Sequence, residues 1–165
     1  DVWLTKHSRS AGGIAIREYI YGDEHSIGSD YIQRFMRGAP MSALFMMTPW
    51  RSYFLGGTKQ LACEQWLHSE RFAYCGNIGP IEVEAALSQS LRRLGGIIAQ
   101  YGPNFGLVGL DFIVNEEAHV IPLEVNPRYT ASVEVHELGF QERYIDWHRM
   151  CSLCMDDVDD GDEEW

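Results

Sequence analysis

What this sequence lacks narrows it before any motif is considered. No stretch of about 18 or more apolar residues occurs, so no transmembrane helix is expected. The opening Asp1-Val2-Trp3-Leu4 has none of the pattern of a signal peptide, and a soluble, cytoplasmic protein with no membrane partner is the expectation. Positive charge is scarce: 13 Lys and Arg stand against 24 Asp and Glu, a formal net charge of −11. That balance argues against a nucleic-acid binder, which needs a basic footprint. The acidity is concentrated, because Asp156, Asp157, Asp159, Asp160, Asp162, Glu163 and Glu164 supply −7 of it and leave −4 for the body. Cys63, Cys75, Cys151 and Cys154 make no disulfide framework, and Cys151-Ser-Leu-Cys154 is a C-x-x-C without a second pair at zinc spacing. Reduced, partly buried thiols are expected, with a site built from that pair and His148 as the lesser alternative. There is no internal repeat and no low-complexity tract besides the acidic end.

The 165 residues, 45% hydrophobic and 22% charged, suffice for one globular domain with a core. The stretch around which it is organised is 107–128. Val108, Leu110, Phe112 and Val114 share one face of a strand, leaving Asp111 on the other with Leu107, Gly109 and Ile113. In a second strand Ile121, Leu123 and Val125 share a face, so Pro122, Glu124 and Asn126 point the other way. A four-residue loop at 115–118 sets Val114 against His119 and Asp111 against Pro122, and makes Asp111 and Glu124 diagonal neighbours roughly 7–8 Å apart at Cβ. A one-residue slip would turn one strand over. Two carboxylates and an amide oxygen converge on one face, and like charges so close repel unless a cation sits between them. Hard oxygen ligands suit Mg²⁺ or Mn²⁺, and Arg128 supplies a planar fork for a phosphate or carboxylate. Spacing alone equally admits an edge hairpin with a solvated acidic face.

Elsewhere, Val2 to Lys6 reads as a strand, residues 8–13 as a glycine-containing loop suited to covering an anion or to a plain hairpin turn, and 14–21 as extended. Residues 22–30 read as a loop and 31–36 as a short extended run. Two strands follow at 41–47 and 52–63 with a turn between them, then a short strand at 72–77 leading into a loop. Pro80 opens the clearest helix, with Val83, Leu87, Leu91, Leu94 and Ile98 as its apolar stripe, Glu82 and Glu84 in its first turn and Arg92 and Arg93 late. Gly102-Pro103 stops it. Residues 129–135 read as extended or irregular, 137–155 as helical, and 156–165 as an acidic disordered tail. His136, between Glu134 and Glu137, reads as a surface ion-pair member, with a general base as the alternative. The expected class is α+β, an antiparallel sheet with helices packed on one face.

Asp111 followed by Leu123-Glu124-Val125-Asn126-Pro127-Arg128 resembles the metal-binding hairpin of the ATP-grasp superfamily, the ATP-dependent carboxylate-amine and carboxylate-thiol ligases and their carboxylase relatives. Most segments between Lys6 and about Glu137 have a counterpart there, and the carboxylate-amine ligase-like members are the nearest in character. The resemblance implies that Asp111, Glu124 and Asn126 hold Mg²⁺ (or Mn²⁺) bridging the phosphates of ATP, and that Arg128 is catalytic. It implies a flexible lid containing Ser10, Gly12 and Gly13, with Lys6 preceding it, and an adenine-pairing backbone at Gln33, Arg34, Phe35 and Met36. Ala15 stands where the family often has glycine. Ala39, Pro40 and Met41 stand where a ribose-binding glutamate is common. The loop at Gly76 and Asn77 falls near the acceptor substrate.

Residues 1–155 are thus expected to be the C-terminal portion of an ATP-grasp domain, without the N-terminal substrate domain and small nucleotide subdomain. The implied activity is an ATP- and Mg²⁺-dependent ligase that activates a carboxylate as an acyl-phosphate for attack by an amine. The implied partners are those small molecules together with the missing N-terminal portion or a partner subunit, and a homodimer is open. The alternative is a non-catalytic nucleotide-binding or assembly module derived from such an enzyme, and the isolated chain is expected to be inactive alone.

Overall fold

The two most continuous β-forming runs in the chain become neighbours at the heart of the larger sheet. β4 (Ala39–Thr48) and β5 (Arg51–Ala62) pair antiparallel as expected. The structure, a computed structural model, describes residues 1–8, 12–21, 30–48, 51–101 and 105–156, and only the backbone of 65 and 152–156. β1 (Trp3–His7), β2 (Arg17–Glu18) and β3 (Asp30–Arg34) form a small antiparallel sheet in the order β2-β1-β3. β6 (Tyr74–Ile81), β7 (Gly106–Val114) and β8 (Val120–Asn126) join β4 and β5 in the order β6-β5-β4-β7-β8, every pair antiparallel. Among the described residues there are three α-helices, α1 (Ala85–Gln100), α2 (Ala131–Phe140) and α3 (Tyr144–Asp156). Among the described residues no helix is long and apolar enough to cross a membrane.

β4 is buried along almost its whole length because both of its faces are covered. Ala43, Phe45 and Met47 join Val108, Leu110 and Phe112 in a core closed by Leu87, Leu91, Leu94 and Ile98 of α1. Leu44 and Met46 join Leu107, Val133 and Tyr144 in a second core on the opposite face. The class is α+β with antiparallel sheets, and the face assignment of Val108, Leu110 and Phe112 against Leu107 is as expected. The helices divide between the two faces instead of sharing one, because Leu44, Met46 and Leu107 make the second face as apolar as the first at that end. Each fully buried Leu or Phe contributes roughly 1.5–3 kcal/mol.

Several boundaries differ from expectation. α1 starts at Ala85, since Pro80 and Ile81 belong to β6; as an edge strand, β6 tolerates a residue without an N–H. Glu84 is the N-cap residue and Glu82 precedes it, while Arg92 and Arg93 fall mid-helix, so neither end carries the expected charges. Residues 131–135 are already helical, with Thr130 as N-cap, and the helix expected over 137–155 is broken in two. At the break Gln141 adopts φ +55° and gives its N–H to Glu137 O. The predicted stop at Gly102-Pro103 lies outside the described residues, as does the acidic end beyond Asp156, the last residue of α3.

His136 is the main correction on the helices. It is fully buried, with both ring nitrogens unpartnered among the described residues, and its ring lies 5.7 Å from that of Phe140 and 6.2 Å from that of Tyr144. A Cβ at Gly56 would stand 2.5 Å from its Cε1, so the ring fits only against a glycine. It is a core side chain, not a surface ion-pair member. His148 Nδ1 accepts the Leu107 N–H (3.0 Å), which commits that nitrogen to the fold and removes it from a zinc site.

Two predictions arise from this packing. Gly95 and Gly96 are helical neighbours with opposite surroundings: a Cβ on Gly95 would meet Phe45 Cε1 at 2.7 Å and Ser52 Oγ at 2.8 Å, whereas nothing lies within 4 Å on Gly96. Gly96→Ala should stabilise by about 0.5–1 kcal/mol through helix propensity, while Gly95→Ala should destabilise by about 1–3 kcal/mol through overpacking. Urea melts of the two variants settle the sign.

Burial holds the His136 imidazole below its ordinary range. The unfolded chain therefore takes up the proton first, and stability falls as pH drops through the unfolded value near 6.5 toward the folded one. His136→Leu should remove this component, leaving a flatter denaturation midpoint between about pH 7 and 5 than the parent shows. Parallel slopes would show that His136 does not titrate on unfolding.

Candidate active site

A polar row crosses all five strands of the larger sheet on the face that carries Leu44 and Leu107, beyond the part covered by α2 and α3. Strand pairing sets Ser42 opposite Thr58 on one side and opposite Asp111 on the other; Gln60 opposes Asn77, Asp111 opposes Glu124, and Gly109 opposes Asn126. Ser42 Oγ donates to Asp111 Oδ1 (2.6 Å), Gln60 Nε2 lies 2.8 Å from the same oxygen and 2.7 Å from Ser42 Oγ, and Asn126 Nδ2 donates to Asp111 Oδ2 (3.2 Å). Arg128 Nη2 donates to Asn126 Oδ1 (3.3 Å), and its Nη1 to Tyr129 O (3.4 Å). At the other end Thr58 Oγ1 donates to Asn77 Oδ1 (3.2 Å), and Asn77 Nδ2 to the Tyr74 hydroxyl (2.7 Å).

The predicted hairpin is present, but in a different register. Its loop is five residues, 115–119: Asn115 Oδ1 accepts the N–H groups of Glu117 (3.1 Å) and His119 (2.8 Å), and Ala118 takes φ +60°. Val114 therefore opposes Val120, not His119. A bulge follows between the Phe112–Pro122 and Asp111–Glu124 pairs, leaving Leu123 without a partner. Asp111 thus faces Glu124 directly, not Pro122, at roughly 4.5–5.5 Å between Cβ atoms instead of on a diagonal.

Desolvation pushes the Asp111 carboxyl above its ordinary range, opposed by the bonds from Ser42, Asn126 and Gln60 and by the Arg128 charge. The Tyr74 phenol is raised, first by burial and next by Asp111, which places it beside the carboxylate. Glu124 is exposed and has no hydrogen bond or ion pair among the described residues.

The small sheet supplies a second wall. Leu4, Lys6, Tyr31 and Gln33 share one face through the Leu4–Gln33 and Lys6–Tyr31 pairs. Burial lowers the Lys6 ammonium and Glu124 raises it; the Tyr31 phenol is raised by burial and then by Glu124. Lys6 and Tyr31 therefore stand across from Glu124. Gly12 and Gly13 form a left-handed turn at φ +66° and +75°, and Ala15 continues it at φ +64°, a conformation glycine adopts more cheaply. Gly12 O accepts the Tyr74 N–H (2.9 Å), and a Cβ on Gly13 would collide with Phe72 O. Ser10 lies outside the described residues. β3 is an edge strand, and Phe35 N–H is spent on Val2 O (2.9 Å), so by strand alternation the backbone groups of Arg34 face outward from β1. Arg34 also pairs with Asp1 (2.8 Å), and Phe35 packs edge-on against Phe72 at 6.0 Å. Met36 follows Phe35 beyond the strand end.

The donor set fits a hard divalent cation. Asp111 and Glu124 offer carboxylate oxygens that face each other, with Glu124 unengaged among the described residues, and Asn126 offers Oδ1, which here accepts from Arg128 while its Nδ2 turns to Asp111 Oδ2. Among the described residues no group of three or more His, Cys, Asp or Glu side chains could hold a metal. Two carboxylates and an amide leave further positions to water and substrate phosphates, which is how Mg²⁺ is commonly held. Sequence reasoning missed Ser42, Gln60, Thr58 and Tyr74. Polar residues inside otherwise apolar strands were the available signal for the first three, since a buried polar group needs a partner.

The sequence matches the ATP-grasp domain family over residues 1–132. No curated protein matches the chain. Among solved structures, a putative ATP-grasp superfamily protein from Archaeoglobus fulgidus superposes with a TM-score of 0.63 at 18% identity, over 89% of this chain and 43% of that one. The biotin carboxylase domain of Hydrogenobacter thermophilus 2-oxoglutarate carboxylase, in complex with MgADP, ADP and bicarbonate, gives 0.68 at 15% identity, over 92% and 36%. An L-amino acid ligase from Bacillus licheniformis gives 0.61 at 12% identity, over 82% and 34%. The chain therefore spans well under half the length of these structures, which share its fold. The match over 1–132, on the fold that sets Asp111, Glu124 and Asn126 on one sheet face, shows that this chain belongs to the ATP-grasp family.

Proposed function

We propose that this chain is the phosphate- and metal-holding part of an ATP-dependent ligase that activates a carboxylate as an acyl-phosphate for capture by an amine. The observation that carries this is the pairing of Asp111 with Glu124 on a sheet face opposed by Lys6. Asp111, Glu124 and Asn126 would hold Mg²⁺ or Mn²⁺, which supplies charge neutralisation and orientation at the phosphate oxygens. Lys6 would neutralise phosphate charge from the opposite wall. The fork of Arg128 would do so beside Asn126, and its loosely held contacts leave its N–H groups free to re-aim at a transferring phosphoryl group. The outward backbone edge at Arg34 and Met36 would pair with adenine, and Gly12 and Gly13, with Ser10, would cover the phosphates. Acceptor carboxylate and amine would meet at the end of the row formed by Tyr74 and Asn77. The carboxylase and the amino acid ligase among the structural neighbours support this class of chemistry.

If Glu124 holds the cation, MgATP should stabilise the fold by about 2–3 kcal/mol at a hundred times its dissociation constant, and Glu124→Gln should lose more than half of that. Thermal melts with and without MgATP measure it, paired with calorimetric titration. An identical ligand response in parent and variant removes Glu124 from the site.

Arg128 gives the sharper test. Lysine keeps the charge but loses the fork, so in the intact protein Arg128→Lys should lower kcat for carboxylate-dependent ADP formation by about 10–100-fold. ATP affinity should hold within about threefold and the melting temperature should not move. Unchanged turnover with a lower melting temperature would make Arg128 a structural tie. ATP binding with no ADP formation in the parent protein would favour a non-catalytic nucleotide-binding module instead.

A further inference from the structure

The Gln60 side chain makes its two hydrogen bonds across the sheet, to β4 and β7, and no other among the described residues. Its amide nitrogen stands 2.8 Å from Asp111 Oδ1 and 2.7 Å from Ser42 Oγ, which itself donates to Asp111 Oδ1 at 2.6 Å. An amide carries two hydrogens, so one Gln60 side chain satisfies both neighbours at once. Ser42 Oγ accepts from it and passes its own hydrogen to the carboxylate. The three residues lie on the adjacent strands β5, β4 and β7, with Ser42 only 4% exposed, so their backbones cannot drift apart. Oδ1 is thus fixed by two short bonds, whereas Oδ2 has only the 3.2 Å contact from Asn126. A carboxylate held tightly by one oxygen has its plane fixed and its more loosely bonded oxygen aimed, which is what outer partners of metal ligands achieve.

We propose that Gln60, with Ser42, is a positioning residue: the pair holds Asp111 Oδ1 so that Oδ2 is presented to the divalent cation. This rests on the metal role given to Asp111 above. It leaves Gln60 touching neither cation nor nucleotide, and its effect runs through Asp111 alone.

The test is calorimetric titration of Mn²⁺ into the ADP-saturated protein. Gln60→Met keeps the length and removes the amide, and should weaken Mn²⁺ about tenfold, within the 10–100-fold range of such outer partners. ADP affinity without metal should stay unchanged. Combined with Asp111→Asn, the same substitution should add nothing further, because the residue it positions is gone. Should Gln60→Met fold poorly, Ser42→Ala takes its place in the same cycle, since it deletes the second Oδ1 donor and should follow the same pattern with a smaller loss. An unchanged Mn²⁺ affinity in Gln60→Met or Ser42→Ala, while Asp111→Asn loses it, overturns the positioning role and spares the metal site. An equal loss with and without Asp111→Asn overturns it too, because the effect then bypasses Asp111. If Asp111→Asn itself binds Mn²⁺ as the parent does, the metal reading falls and this one with it.

Discussion

A half-buried carboxylate, whose desolvation its neighbours have to offset, is the constraint on which the rest of this fold turns. Asp111 lies on a strand whose other face packs Leu110 and Phe112 into the core under α1, and its own face runs on to Leu107 under α3. Desolvation raises its carboxyl, and a buried charge left unpaired costs several kcal/mol. Three neighbouring side chains donate to it, from β5, β4 and β8, and hydrogen bonds to a charged group are worth about 1.5–3 kcal/mol each. These donors explain polar residues inside strands that are otherwise apolar. Ser42 sits between Met41 and Ala43, both buried, and Gln60 follows the fully buried Thr58 by two residues on β5.

The bulge at Leu123 answers a second demand of the same carboxylate pair. Between Val114 and Phe112 the hairpin keeps one register, with Val120 packing against the α1 core. Continued without interruption, that register would set Glu124 opposite Leu110 and drive a carboxylate toward the apolar core. One extra residue on β8 turns the strand over, so that Glu124 meets Asp111 and Asn126 meets Gly109. The absent side chain of Gly109 leaves room for Thr130, whose Cγ2 would stand 3.1 Å from a Cβ there, and so lets α2 begin directly behind the site.

The convergence of Asp111, Glu124 and Asn126 was legible in the sequence because alternation fixes the face of each residue on a strand, and order along the chain fixes which strands meet. The register was not, because the Asn115 side chain sets the loop length through bonds that leave no periodic trace, and a bulge breaks the period-2 rule on which the reading depends. The start of α1 was misplaced because Pro at a first helical turn and Pro on an edge strand look alike in one dimension. Thr130 to Val133 read as extended because β-branched residues favour strands locally, whereas Val133 is fully buried in the second core. His136 was read by its charged neighbours in sequence, yet its neighbours in space are Gly56, Phe140 and Tyr144.

The two walls of the site are joined more weakly than either is built. Between them, among the described residues, run the Gly12–Tyr74 backbone bond, the edge contact of Phe35 with Phe72, and an Arg71–Glu18 ion pair at 2.6 Å. Both members of that pair are about half exposed, which limits it to roughly 0–1 kcal/mol, and an aromatic pair adds about 0.5–1.5 kcal/mol. Each wall also carries charge that the other only partly answers: burial lowers Lys6 more than Glu124 raises it, and Asp111 and Glu124 repel across their shared register. A cation between the carboxylates would relieve the repulsion, and an anion between the walls would give Lys6 the partner that Glu124 supplies only in part. Under the proposed function, binding and ordering of the two sheets would therefore draw on the same few charges.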